Sequence, residues 1–183
     1  MPRDERERLL ALYQARVDAY ADVDAPYGEH WRSWCRTLLS IGGSLVVPPR
    51  DPDTDLDAFL TEGHAMNLPI SQRTGEPGEC HRNVAVGWID GTFESICTGY
   101  ALSDDHLWRQ HSWGLTSGGE LVETTDLRLA YVGVTLPARA ASMQFAGSNA
   151  QDHLKTVLQQ RGPRAAELIS MIRELAGMPP RRS

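Results

Sequence analysis

Long apolar runs are missing from this 183-residue chain. No stretch approaches the roughly 20 residues that a helix needs to span a bilayer, so a membrane role is not expected. Basic excess is missing too. Lys and Arg total 18 against 24 Asp and Glu, a formal net charge of −6. Non-specific binding to nucleic acid needs a basic surface that displaces counterions, and this balance argues against it. Cysteines are few: Cys35, Cys80 and Cys97 are an odd, widely spaced set. Such a set makes no disulfide framework and suits reduced thiols in a cytoplasmic setting. The first residues, Met1-Pro2-Arg3-Asp4-Glu5-Arg6, lack an apolar secretion segment, in keeping with a cytoplasmic protein. Paired Cys-x-x-Cys or His-x-x-x-His motifs are absent, and the adjacent Cys80-His81 is poor chelation spacing. A metal site would have to gather Cys80, His81, His106, His111 or Glu123 from separate segments, and no cofactor is expected. Repeats and low-complexity tracts are absent as well.

What is present is the material of one domain spanning 1–183, 41% hydrophobic and 23% charged. That is enough to bury a core without metal or disulfide support. Residues 1–46 read as helical. Leu9, Leu10, Leu12, Tyr13, Val17 and Tyr20 recur near helical spacing from Asp4 to Val23, and Pro26-Tyr27-Gly28 breaks the pattern. A second helix covers Glu29 to Ser40, stopped by Gly42-Gly43. Leu45-Val46-Val47 suits a short strand. Residues 47–79 are loop-rich, with a short helix from Leu56 to Glu62 and a loop from Leu68 to Glu79.

Residues 80–136 carry a helix from Cys80 to Trp88 and then strands over Phe93–Leu102, His106–Thr116, Glu120–Thr125 and Leu129–Leu136. Turn residues between them predict an antiparallel meander. Residues 137–178 read as helices starting at Pro137, Asn149 and Pro163, with Asn149 as an N-cap, and 179–183 as a frayed tail. The expected fold class is α+β: a small antiparallel sheet of about four strands, a nucleophile-bearing helix, and flanking N- and C-terminal helices.

The chemistry-bearing residues stand in the order Cys80, His111, Glu123. A thiol acyl-transfer site needs a nucleophile, a base and an anion to orient the base. A helix N-terminus favours thiolate, and Gly78 permits unusual backbone geometry just before it. Alternation puts Leu107, Arg109, His111, Trp113 and Leu115 on one strand face. A three-residue turn at Ser117-Gly118-Gly119 pairs Thr116 with Glu120 and Trp113 with Glu123, whereas a two-residue turn sends Glu123 to the other face. Gln72 upstream, the Cys80 N–H, Asn83 and Trp113 are the oxyanion or substrate-binding candidates. Each residue also has a plainer reading: a buried thiol, a structural histidine, a solvated glutamate.

The stretches Cys80-His81-Arg82-Asn83, Thr98-Gly99-Tyr100-Ala101, Gln110-His111-Ser112-Trp113, Val122-Glu123-Thr124-Thr125 and Tyr131-Val132-Gly133-Val134 resemble a group of small bacterial and phage proteins. Those proteins are in turn similar to the papain-like and transglutaminase-like cysteine enzymes. The resemblance covers about residues 78–136. It implies Cys80 as nucleophile, His111 as base and Glu123 as orienting acid, with Glu123 where Asp or Asn is usual and Ser112 where Ala is usual. The implied activity is acyl transfer or hydrolysis at an amide or thioester of a peptide, protein or small acyl substrate. The alternative is a non-catalytic peptide- or protein-binding module on the same scaffold, with Trp108, Trp113, Tyr100 and Tyr131 as core or groove.

Overall fold

A computed structural model describes residues 3–23, 25–136 and 139–178. Among them seven helices run in the order α1 (Arg3–Val23), α2 (Ala25–Ile41), α3 (Leu56–Glu62), α4 (Cys80–Ile89), α5 (Arg139–Asn149), α6 (Gln151–Gln159) and α7 (Pro163–Leu175). The strands are β1 (Leu45–Val46), β2 (His64–Ala65), β3 (Ile70–Gln72), β4 (Ser95–Leu102), β5 (Leu107–Leu115), β6 (Leu121–Glu123) and β7 (Ala130–Thr135).

The sheet corrects the expectation of about four antiparallel strands. Seven strands pair in the order β2-β7-β4-β5-β6-β3, with β1 on β5. The sheet is mixed: β1 runs parallel to β5 and β3 parallel to β6. The added strands are only two or three residues long, too short for a period-2 pattern to register. The short strand expected at Leu45-Val46 is present as β1; the additions are β2 and β3, with Pro69 beside β3, in a stretch that reads as loop. The meander is also corrected. After β6 the chain returns to β4, with Leu129 N donating to Leu102 O and Leu136 N to Ile96 O.

Helix boundaries differ from expectation at Pro26-Tyr27-Gly28. Pro26 and Gly28 lie in the first turn of α2, where proline's missing N–H has no helical partner to lose. Asn149 does not cap α6. Its Nδ2 donates to Phe145 O at 2.9 Å, and Ala150 takes the cap position. Pro163 does open α7. Leu10 and Leu12 are exposed although the periodicity puts them on the apolar face of α1. The side chains of Val17 and Tyr20, the helix start at Pro137 and the tail from Pro179 fall outside the described residues.

The chain divides into two compact units. The first comprises Met1–Asn67, Gly99–His111 and Arg128–Val134. Its core is aromatic: Trp31, Trp34, Phe59, Tyr100 and Trp108 pack with Leu38, Leu102 and Val132. Trp34 stacks on Phe59 with centroids 5.4 Å apart, and Tyr100 meets both edge-on. Offset and edge-on pairs suit the ring quadrupoles and add to the area term. The second unit comprises Leu68–Thr98, Ser112–Leu127 and Thr135–Ser183. Here α4 packs with α5 and α6 through Val84, Ala85, Trp88 and Ile89, joined by Phe93, Val122, Ala146 and Leu168. No described helix is long and apolar enough to cross a membrane.

Candidate functional site

Helix α4 sets the position of Cys80. The loop before it turns at Gly78, whose φ of +77° is the left-handed region that glycine enters without steric cost. Glu79 N donates to Glu76 O, and Asn83 N to Glu79 O, which starts the helix with Cys80 as its first residue. The far end is held by Arg164: its Nε donates to Ile89 O at 2.6 Å and its Nη2 to Trp88 O at 2.5 Å. The guanidinium lies 5.7 Å from the Trp88 ring centroid. Cys80 is thus anchored on a ten-residue helix, 8% exposed, at the end where the helix dipole favours an anion.

Glu123 ends β6 and is fully buried, at 0% exposure. Its Oε1 accepts three hydrogen bonds: from Thr124 N at 2.8 Å, Thr125 N at 2.8 Å and Thr125 Oγ1 at 2.9 Å. Two backbone amides and a hydroxyl on one oxygen fix the carboxyl plane and offset its desolvation. The three-residue turn is present. Thr116 N donates to Glu120 O, Leu115 faces Leu121 and Gly114 faces Val122. On the other side of β6, Gln72 is the register partner of Glu123 in the parallel β3–β6 ladder. Gln72 and Glu123 therefore stand at one level of two adjacent strands. Gln72 is exposed and its Nε2 donates to Thr125 O at 2.6 Å. Trp113 is fully buried.

Asn83 is brought elsewhere. It closes both ends of its amide on the backbone of Glu76, accepting from the N–H at 3.1 Å and donating to the carbonyl at 2.8 Å. This is a clamp between α4 and the preceding loop. A side chain on Gly75 would meet the Asn83 amide at 2.5 Å, so the close approach requires glycine there. His111 belongs to the first unit, on β5. It is 4% exposed, with its ring centroid 6.3 Å from that of Tyr131. Trp108, Tyr100 and Tyr131 are buried as well, at 2% exposure or less.

Two arrangements were not foreseen from sequence. His81 Nδ1 lies 2.7 Å from Ser112 Oγ, and the Ser112 hydroxyl donates to Thr98 Oγ1 at 3.5 Å. Ser112 has 0% exposure, so the hydroxyl that replaces an alanine in the resembled proteins serves as a buried partner for this imidazole. The second is a network around Asp53, whose carboxylate accepts from Tyr100 Oη at 3.2 Å, Gln110 Nε2 at 2.9 Å and Asp55 N at 3.1 Å. Burial raises the Asp53 pKa. The other cysteines are poor nucleophiles at neutral pH: burial pushes the Cys35 thiol up to about 12 and the Cys97 thiol up to about 11. Among the described residues no group of three or more His, Cys, Asp or Glu side chains is placed to hold a metal ion.

Compared with protein-family models, with curated proteins and with solved structures, the chain matches none. The papain-like resemblance therefore rests on the ordered motifs alone.

Proposed function

We propose that the chain is a cysteine-dependent acyl-transfer or hydrolytic enzyme acting on an amide or thioester. Cys80 attacks the carbonyl carbon, and His111 takes the thiol proton and returns it to the leaving amine or thiol. Glu123 orients the imidazole. The Cys80–acyl thioester is then cleaved by water or by an acceptor amine, whose proton passes back to His111. Gln72 and Trp113 belong to substrate binding, and the Cys80 N–H is an oxyanion donor. The observation that carries this reading is Glu123: a fully buried carboxylate, held by three donors on one oxygen, with Gln72 level with it on the neighbouring strand. A solvated surface glutamate has no use for such fixation.

The test uses the three cysteines as each other's controls. Iodoacetamide at about pH 6, where an ordinary thiol is scarcely ionised, is expected to alkylate Cys80 ahead of Cys35 and Cys97. The preference disappears in His111→Ala. A p-nitrophenyl acetate burst leaves an acetyl group on Cys80, seen by peptide mass mapping and absent in Cys80→Ala. Equal labelling of all three thiols, with no acetyl adduct, overturns the proposal and leaves the binding-module reading.

A further inference from the structure

A cavity of about 580 Å³ opens within the second unit beside α4, with the loop after β3 (residues 73–76) as its other wall. That volume is in the range of small-molecule sites. Val86 and the Phe93 ring supply apolar surface. Most of the charged groups that line it are already committed. Arg82 makes a two-pronged pair with Asp152, at 2.8 and 2.9 Å. Asp90 lies 2.7 Å from His153 Nε2. The Asn83 amide is spent on the Glu76 backbone.

Among the groups left uncommitted, three bear on the choice of ligand. The Arg73 guanidinium and the Glu76 carboxylate are exposed and form no ion pair with a described side chain. Thr124, 3% exposed, is among the residues that line the cavity, and its Oγ1 is buried without a hydrogen-bond partner. A buried hydroxyl left unpaired costs about 1–3 kcal/mol, so its retention calls for a polar partner. The loop is not loose: Arg73 N donates to Glu123 O and Gly75 N to Thr124 O, both at 2.8 Å. One unpaired cation and one unpaired anion, three residues apart, disfavour a ligand of either single charge. An anion gains from Arg73 but is repelled by Glu76, and a cation the reverse.

We propose that this cavity binds a small zwitterion, a free α-amino acid. The carboxylate pairs with Arg73 and accepts a hydrogen bond from Thr124 Oγ1, the ammonium pairs with Glu76, and the side chain lies on Val86 and Phe93. The site is separate from the proposed catalytic residues. None of Cys80, His111, Glu123, Gln72 and Trp113 is among the residues that line it.

The experiment is an amide NMR titration with L-phenylalanine, L-leucine and L-alanine, and with the two capped forms L-phenylalanine methyl ester and N-acetyl-L-phenylalanine. At least one free amino acid is expected to shift the amides of residues 73–76, 83–87 and 124. Each capped form binds at least about tenfold more weakly than free phenylalanine, the loss of one charge-assisted contact. Glu76→Ala removes the penalty on the acetylated form, and Arg73→Ala removes that on the ester. Thr124→Val weakens binding several-fold while the thermal midpoint of the unliganded protein rises, because the unpaired hydroxyl is gone. If no free amino acid shifts these amides, or if capped and free forms bind alike, the proposal is overturned. Cys80 alkylation does not enter the readout, so this result is independent of the catalytic reading.

Discussion

Asp53 in the first unit and Glu123 in the second are the buried acids among the described residues, and they are satisfied in opposite ways. Asp53 gathers donors from afar: Tyr100 is 47 residues away in sequence and Gln110 is 57. Its own N–H donates to the Tyr27 hydroxyl at 2.7 Å, which brings in a fourth segment. Glu123 draws its three Oε1 donors from the next two residues. A carboxylate held by distant side chains acts as a stitch, since its removal loosens each segment it joins. A carboxylate held by its own neighbours does not join segments through those bonds. Their effect is to aim the group, and aiming is what an orienting acid in a catalytic set requires.

The contrast is broken most directly at Asp53. Asp53→Ala leaves the Tyr100 hydroxyl, the Gln110 amide and the Asp55 N–H without their acceptor in an aromatic surround. A loss of about 3 kcal/mol in unfolding free energy is expected, read from urea midpoints. Asp53→Asn, which keeps one acceptor oxygen, loses less. A loss below that of an ordinary surface substitution would mean the network does not stitch the unit.

Glu123→Gln sharpens the comparison from the other side. The amide keeps an oxygen that can accept from Thr124 and Thr125, so stability is expected to change by only about 1 kcal/mol. The iodoacetamide preference for Cys80 at about pH 6 is expected to fall nonetheless, because a neutral amide no longer stabilises an imidazolium. If stability collapses while the preference survives, Glu123 is a second stitch and its catalytic role is lost.

The residues that sequence reasoning reached share a local cause. The start of α4 follows from Gly78 and the apolar spacing of Val84, Ala85 and Trp88, and the Gly114–Val122 register follows from a three-residue turn. Both depend on contacts a few residues apart. What escaped depends on distant ones. The strands β2 and β3 exist because β7 and β6 offer edges to pair with, and two or three residues of sequence carry no period. The return of β7 to β4 is a choice between two possible neighbours that turn chemistry between 124 and 129 does not make. The burial of Glu123 was equally hidden: Thr124 and Thr125 are visible beside it, but only the folded turn brings their N–H groups to one oxygen. The use of the Ser112 hydroxyl is not visible in its own segment, because its partner, His81, lies 31 residues earlier.

The smallest effect, and the one with a sign to check, comes from setting Asp53 beside an exposed acid of its own unit. Asp105 accepts from Arg109 Nη1 at 2.9 Å and Nη2 at 2.7 Å, and from Leu107 N at 3.1 Å. The Arg109 hydrogen bonds hold its pKa below the ordinary carboxylate value, whereas burial holds that of Asp53 above it. A lowered pKa means that the unfolded chain binds the proton more readily. The Asp105 contribution is therefore present above the unfolded value and lost as pH falls through the folded one. For Asp53 the folded state binds the proton more readily, so its contribution is full below the unfolded value and declines as pH rises through the folded one. Asp55, also raised by burial, adds to that trend in the wild type and cancels in the difference with Asp53→Asn. Urea midpoints from about pH 3 to 7 are expected to show the wild-type margin over Asp53→Asn shrinking with pH and that over Asp105→Asn growing. The second margin levels off near 0.5 kcal/mol, about what a partly exposed pair contributes, and salt reduces it. Slopes of the same sign would show that the two acids are not held in the contrasting states their partners define.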